Sequence, residues 1–395
     1  MRILIAGAGL GGLTAGLALL KKGFEVRILE QATQLKELGA GIQIPPNCNH
    51  VLFKLGLEEE LMKLACEPQG KIVRLWNSGQ TWNLFDLGGV SRALYGYPYL
   101  TAHRADLHKV LADAVYRENP DAIVLGAKLV SFEQRGDVVV AHTEDGRSFE
   151  ADVLVGADGV HSIVRGGLFG ADKPQFSGLV AWRGVIETSN LPTQLQRPVG
   201  VNWVGPGAHV IHYPLRAEKL VNLVVAVERS DWRVESWTER GTTEECLADL
   251  PGWNEDVHTL IRAIDIPYKW ALMVRAPMER WSDGNITLLG DACHPTLPFL
   301  AQGAAMAIED GYILARALSE YPDDPKTALS HYEEARKERT ARVVEGSNAN
   351  AKRFHNRELA NPEGAGNYVN REWQEDRVKE RYEWLFTYDV ETVAI

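Results

Sequence analysis

Apolar and polar positions follow several rhythms along this chain, and each predicts a different element. Arg2–Ala6 is a short apolar run that reads as a strand. Leu10–Lys22 has helical character, and Gly23 stands where a helix C-terminus favours positive φ. Glu25–Leu29 alternates and reads as a second strand ending at Glu30, so the chain opens with a βαβ unit of about 30 residues. Between Lys71 and Leu87 two alternating runs flank Ser78-Gly79, the pattern of a hairpin. Thr101–Asn119 predicts a helix, and Ala122–Val155 predicts strands with turns at Arg135-Gly136 and Asp145-Gly146. Phe176–Pro277 is β-rich and tryptophan-rich. Ile286–Leu289 returns to a strand, Gly303–Glu320 is a helix, and Pro325 to about Asn356 is a long charged helix. Within it Glu333–Lys337 is a favourable i,i+4 pair and Glu334–Glu338 an unfavourable one. The tail from Asn361 is polar until Trp384-Leu385-Phe386, a cluster expected to dock on the body.

Two of these junctions carry chemistry. Gly7-x-Gly9-x-x-Gly12 follows a strand and opens a helix, with Leu10 in the first helical turn. Gly7 permits a tight turn, Gly9 lets a pyrophosphate approach the backbone, and Gly12 lets helix and strand pack closely. The helix N-terminus favours the anion. Glu30, 18 residues after Gly12, is placed to accept hydrogen bonds from a ribose diol. This fingerprint alone fits FAD or NAD, or a glycine-rich turn beside a surface glutamate.

The segment GDACHPTLPFLAQGAAMAIED, Gly290–Asp310, is the second junction. Asp291 ends a strand and faces a helix start at Gly303-Ala304-Ala305, which leaves room for a flat ring and offers N–H groups to a negative edge. A helix N-cap is the competing reading of Asp291. With 280 residues between the two junctions, a long cofactor held from both ends, with a ribitol chain, explains them together. The third motif, Gly156-Ala157-Asp158-Gly159, follows a strand and could equally be an ordinary turn with an Asp cap.

Bulk properties narrow the rest. A length of 395 residues suits two domains, and 45% hydrophobic with 24% charged residues suits a globular protein. The net charge of −11 argues against a nucleic-acid partner. Four scattered cysteines without a CxxC pair predict no disulfide framework and no metal site, and favour a cytoplasmic setting. The N-terminus reads as strand and turn rather than signal peptide, and no apolar run approaches the ~18 residues of a membrane span.

In the strand His209–Leu215, His209, Ile211 and Tyr213 share one face. Such a face can present two proton-transfer groups, and a neutral histidine near pH 7 is a natural general base. Both residues could equally be satisfied core residues of a β-rich domain.

Three motifs in order, GAGLGG with Glu30, GADGVHSIVR, and GDACHP with QGAAMAIED, resemble those of the single-component flavoprotein aromatic hydroxylases, the group of p-hydroxybenzoate hydroxylase. The resemblance implies an α/β fold: a discontinuous Rossmann-like FAD-binding domain (residues 1–70, 100–175 and 280–325), an inserted β-sheet substrate domain (71–99 and 176–279), and a C-terminal helix and tail (326–395). It implies FAD as cofactor, NADH or NADPH as co-substrate, and oxygen transfer from a flavin hydroperoxide to an activated ring carbon. It assigns Glu30 to the adenosine ribose, Asp291 to the ribitol, and Asp158 with Gly159 to the pyrophosphate region. It also assigns Arg104 to the FAD phosphates and Pro295 to the flavin carbon that carries the peroxide, with Leu10 and Gln43 completing the cofactor contacts. His209 and Tyr213 match a His and a Tyr that serve catalysis in hydroxybenzoate 6-hydroxylases and hydroxynicotinate enzymes.

The substrate is expected to be a small phenolic acid of hydroxybenzoate, salicylate or hydroxynicotinate type, with O2 as the other reactant. Two departures bear on it. Gln43 stands where the hydroxynicotinate enzyme has a histidine, and Pro298 where the 3-hydroxybenzoate enzyme has a glutamine. Pro298-Phe299 is therefore expected to make a more apolar wall, and salicylate-type acids gain weight. Tyr97 and Tyr99 are expected at the pocket, or else in hairpin packing. Three other readings stay open: a dehydrogenase or reductase of the same fold without oxygen transfer, a hydroxylase of a larger phenolic or heteroaromatic metabolite, and a partner-binding protein that kept the fold. Relatives are often homodimers, but no interface is legible.

Overall fold

The structure, a computed structural model, describes residues 1–35, 40–170, 172–231 and 239–395. Its first sheet has six strands in the order Ser282–Asp283, Ile286–Leu288, Val153–Gly156, Arg2–Ala6, Glu25–Leu29, Ile123–Val124. All pair in parallel except the edge strand Ser282–Asp283. The central strands are almost wholly apolar because both faces are covered. Parallel neighbours end at the same edge. The three motifs that follow Ala6, Gly156 and Leu288 are therefore brought side by side, although up to 280 residues separate them in sequence.

Helices Leu10–Lys21 and Gly303–Glu320 pack closely against each other on this sheet. Small residues permit it: a Cβ on Gly311 would lie 2.7 Å from the Ala15 amide nitrogen, and one on Gly11 would lie 3.0 Å from the Ala307 Cβ.

A second sheet has seven strands: Tyr268–Val274, Gln175–Glu187, Leu220–Glu228, Ala208–Leu215, Gly200–Gly205, Gly70–Leu75 and Thr81–Asp86. The predicted hairpin joins it through a parallel pairing of Gly70–Leu75 with Gly200–Gly205. Trp182 and Trp203 are fully buried in the core of this sheet. The tryptophan-rich stretch is thus a packed core where it is described; its residues 232–238 lie outside the described residues.

Some expectations need correction. Thr101–His103 belongs to a strand, Leu100–His103, paired with Gly41–Ile44, and the helix starts only at Arg104. The β-rich region also carries two helices, Thr243–Ala248 and Glu255–Arg262. Glu333 accepts from the Trp281 and Ser282 amides, both at 2.9 Å, and Lys337 donates to the Glu279 carbonyl, so both side chains anchor the neighbouring segment. The tail is largely helical, Pro362–Glu372 and Glu375–Phe386. As expected, it docks: the Phe386 ring meets Phe85, Tyr95 and Tyr99 at 5.4–6.0 Å between centroids.

Candidate active site

The three glycines of the first motif do different things. Gly7 has φ +103°, and a Cβ there would meet the Ala157 carbonyl oxygen at 2.4 Å. A Cβ on Gly12 would meet the Gly7 carbonyl oxygen at 2.0 Å. Gly9 is the opposite case, since a Cβ there would meet nothing within 4 Å. Its open face lies at the start of the Leu10–Lys21 helix, which has no side-chain cap and no acidic residue in its first turn. Uncapped N–H groups and the helix dipole are left to attract an anion.

Glu30 folds back on this turn, accepting from the Ala8 amide at 2.9 Å and the Ala32 amide at 2.8 Å. Asp158 lies against Gly7 through its backbone, but its carboxylate accepts from the Ser162 hydroxyl and from the Ile163 and Val164 amides. Burial raises its pKa, and these bonds pull it back. Its side chain therefore holds the start of the Ile163–Phe169 helix, while the backbone around Gly159 (φ +78°) lies at the edge where the motifs meet.

Asp291 is enclosed on most sides yet keeps an exposed surface, the environment of a cleft floor. The surrounding protein raises its carboxyl pKa, and the charges of His294 and Arg104 pull it down. Arg104 thus acts on the same cleft from the start of the Arg104–Glu118 helix. Beyond Asp291 the chain passes buried Pro295 and turns through Pro298–Leu300 and Ala301. Ala301 takes φ +56°, a left-handed conformation uncommon for a residue with a Cβ. The Gly303–Glu320 helix then begins, again without a side-chain cap or an early acid, so Gly303, Ala304 and Ala305 present free N–H groups.

Beneath this segment is a buried ionic network that the sequence reading missed. Asp310 accepts from the Gly290 amide (3.0 Å), meets His294 Nε2 (2.6 Å) and accepts from Arg336 Nε (2.7 Å). Glu309 accepts from Arg336, Arg339 and Asn47 at 2.7–2.9 Å. Burial alone would raise both carboxyl pKa values, but the neighbouring cations outweigh it and hold both below their usual values.

An adjoining cavity opens between the large sheet and the 298–301 turn. Its wall includes Gln43, Lys71, Asn202, Ile211, Tyr213, Pro298, Phe299, Phe354 and Tyr382. Pro298 and Phe299 form the apolar wall that the sequence suggested. Tyr213 is on the lining, with burial raising its pKa. His209 is not. It is wholly buried behind two wall residues, its ring 4.7 Å from that of Phe299 and 5.1 Å from that of Phe354. Its Nδ1 is 2.6 Å from His355 Nε2, and its Nε2 has no partner. Burial, and then His355, push its pKa well below the usual value. His355 Nδ1 stands 3.4 Å from Glu228, which is half exposed. Tyr99 lies just behind the wall, and Tyr97 stacks on His50 away from the cavity.

Residues 1–347 match the family described as FAD binding domain. The chain belongs to that family. The FAD-binding architecture agrees with the open face at Gly9, the two uncapped helix starts and the cleft carboxylate of Asp291, which together fit a phosphate-bearing, polyol-containing dinucleotide. Among similar proteins is the 3-amino-4-hydroxybenzoate 2-monooxygenase of Streptomyces platensis, 39% identical over 90% of this chain and 88% of the relative. Another is the 6-hydroxynicotinate 3-monooxygenase of Pseudomonas fluorescens, 39% identical over 88% of this chain and 91% of the relative. A salicylate hydroxylase substrate complex superposes with a TM-score of 0.83 at 24% identity, covering 99% of this FAD-binding chain and 96% of the other.

Proposed function

We propose that this protein is an NAD(P)H-dependent FAD monooxygenase that hydroxylates a small phenolic aromatic acid. The observation that carries the reading is the 298–301 turn. It walls the aromatic cavity on one side, and on the other it joins the Asp291 cleft directly to the Gly303 helix start. A ring in the cavity therefore sits next to the cofactor site. The family and the aromatic-ring monooxygenases among its relatives support oxygen transfer over a simple dehydrogenase.

FAD, when bound, supplies the redox chemistry that activates O2 with electrons from NAD(P)H. The chain's own residues do the rest. Gly7, Gly9, Leu10 and Gly12 with Arg104 hold the phosphates, Glu30 the ribose and Asp291 the ribitol. Gln43, Asp158, Gly159, Pro295 and Gly303–Ala305 border the remaining length. Tyr213 meets the substrate in the cavity, and its raised pKa keeps it a hydrogen-bond donor. His209, kept uncharged at neutral pH by its burial, is the proton acceptor of this reading, and it stands directly behind Phe299 and Phe354 of the cavity wall. His355, 2.6 Å from His209, lies between it and the half-exposed Glu228, 3.4 Å further on.

The enzyme is read as cytoplasmic, since its four cysteines are free and buried and suit a reducing compartment. Among the described residues no helix is long and apolar enough to cross a membrane. A homodimer is the proposed assembly, to be checked by light scattering. The deciding experiment incubates the FAD-loaded protein with hydroxybenzoates, aminohydroxybenzoates and hydroxynicotinates under labelled O2. Label in a ring hydroxyl, formed in step with NAD(P)H oxidation, is expected. NAD(P)H oxidation with no labelled product from any of them would point to the dehydrogenase reading.

A further inference from the structure

Lys71 is the one charged side chain on the cavity wall among the described residues. It stands at the start of the Gly70–Leu75 strand, directly opposite Gly200 of the neighbouring strand. The missing side chain at Gly200 gives its stem room, since a Cβ there would lie 3.2 Å from Lys71 Cγ. The ammonium donates to the Tyr99 hydroxyl at 2.6 Å and lies 4.3 Å from the centroid of that ring. Tyr99 in turn donates to Gln43 Oε1 at 2.8 Å. Because Tyr99 spends its proton on Gln43, its oxygen is oriented to receive from Lys71. The two residues fix the ammonium in place.

What this ammonium lacks is an anion. No carboxylate pairs with it among the described residues, and none lines the cavity. The buried guanidinium groups of Arg336 and Arg339, by contrast, each have carboxylate partners. Burial without a counter-charge lowers the Lys71 pKa to about 7. An ammonium has three donors, and Tyr99 takes one. A half-buried cation with spare donors, on an otherwise neutral wall, is suited to a ligand that brings its own negative charge.

We propose that Lys71 binds the carboxylate of the aromatic substrate, with Tyr99 and Gln43 as its positioning residues. This rests on the hydroxylase reading above and adds the group that makes the site prefer an acid. It also orients the ring, because a carboxylate fixed at Lys71 determines which ring edge faces the 298–301 wall.

The test uses FAD-loaded protein and matched probes, the three monohydroxybenzoates and the corresponding hydroxybenzamides. Binding is read from the change in flavin absorption, and turnover from hydroxylated product. The wild type should bind its preferred acid at least about 30-fold more tightly than the matching amide, the scale of a buried charge contact. Lys71→Met should remove most of that preference while leaving amide affinity in place, and Lys71→Arg should restore part of it. An unchanged acid-to-amide ratio in Lys71→Met overturns the proposal. So does an equal loss for acid and amide, which would mean that Lys71 meets the phenol oxygen instead. Should Lys71→Met fail to retain FAD, the wild-type ratio decides alone, and a ratio near one sinks the idea. Hydroxylation of phenols with no acid preference removes the anchor but keeps the hydroxylase. No binding and no hydroxylation of any probe removes both.

Discussion

The imidazole Nε2 of His294 lies 2.6 Å from Oδ2 of Asp310, and the same oxygen accepts the Gly290 amide. One carboxylate thus ties both ends of the GDACH turn to the helix that follows it. Removing its charge leaves Arg336 with only Glu309 as a buried counter-ion. Asp310→Asn should destabilise the protein by about 3–5 kcal/mol, the usual effect of breaking a buried pair. FAD retention should fall with it, and a thermal melt with flavin absorption measures both. Because the folded pKa of Asp310 is held below its unfolded value, its contribution is complete above about pH 4. It should be lost as pH falls through the lower folded value.

The glycines of the first motif should respond differently to the same change. Gly12→Ala puts a methyl 2.0 Å from the Gly7 carbonyl, so it should lower the melting temperature of the protein freed of FAD. Gly9→Ala meets open space and should leave that temperature nearly unchanged. Its methyl instead occupies the approach of the pyrophosphate, so FAD affinity should drop. Equal melting temperatures for the two variants would contradict the geometry.

His209 and Tyr213 should separate kinetically. Loss of a general base typically slows the step by about 100-fold or more. His209→Ala should therefore depress hydroxylation at pH 7 with FAD still bound and flavin reduction little changed. The defect should shrink at alkaline pH, where the substrate phenol ionises in solution. Tyr213→Phe should act first on KM for the aromatic acid. Coupled turnover of His209→Ala equal to the wild type at pH 7 would exclude His209 as the base.

Lys71 predicts two opposite pH trends. Its folded pKa is about 7 and its ordinary value 10.5, so between these limits the unfolded chain binds a proton that the folded chain lacks. The ligand-free protein should gain stability from this residue as pH rises across that window. Affinity for an aromatic acid should fall over the same range, by about tenfold per pH unit once Lys71 is neutral, because binding must then take up a proton. Tyr99, Tyr213 and Tyr382 have raised pKa values and His209 a lowered one, so none of them mimics this profile. Amide affinity should show no such fall between pH 6 and 7.5, below the range in which its phenol ionises. Isothermal titration at pH 6, 7.5 and 9 measures both ligands.

The three motifs that meet at one edge of the first sheet were legible in the sequence because each is a local pattern at a strand end. Gly7, Gly9, Gly12 and Asp291 announce themselves by residue type and by the strand before them. The cavity was legible only in part: Tyr213 and Pro298-Phe299 were expected on it, but the rest of its wall is assembled from separate segments near residues 43, 71, 202, 354 and 382. Lys71 reads as a solvated residue at a strand start, and only the pairing with Gly200 and the docked tail around Tyr382 enclose it. His209 was placed on the correct strand face, but alternation cannot reveal that Phe299 and Phe354 cover it. Asp310 and Glu309 look like an exposed helix face until Arg336 and Arg339 are brought against them by the following helix.

The parallel pairing of Ile286–Leu288 beside Val153–Gly156 also constrains the order of events in folding. Leu154 must wait for Ile286, a partner 132 residues later in the chain. A ribosome has therefore made nearly three quarters of the protein before the floor of the cleft can exist. Nascent chains shorter than this lack the strand that precedes Asp291 and should therefore retain no flavin. In refolding experiments the quenching of flavin fluorescence should lag well behind the recovery of helical circular dichroism. Cofactor capture then acts as a late checkpoint, reporting that both ends of the chain have met.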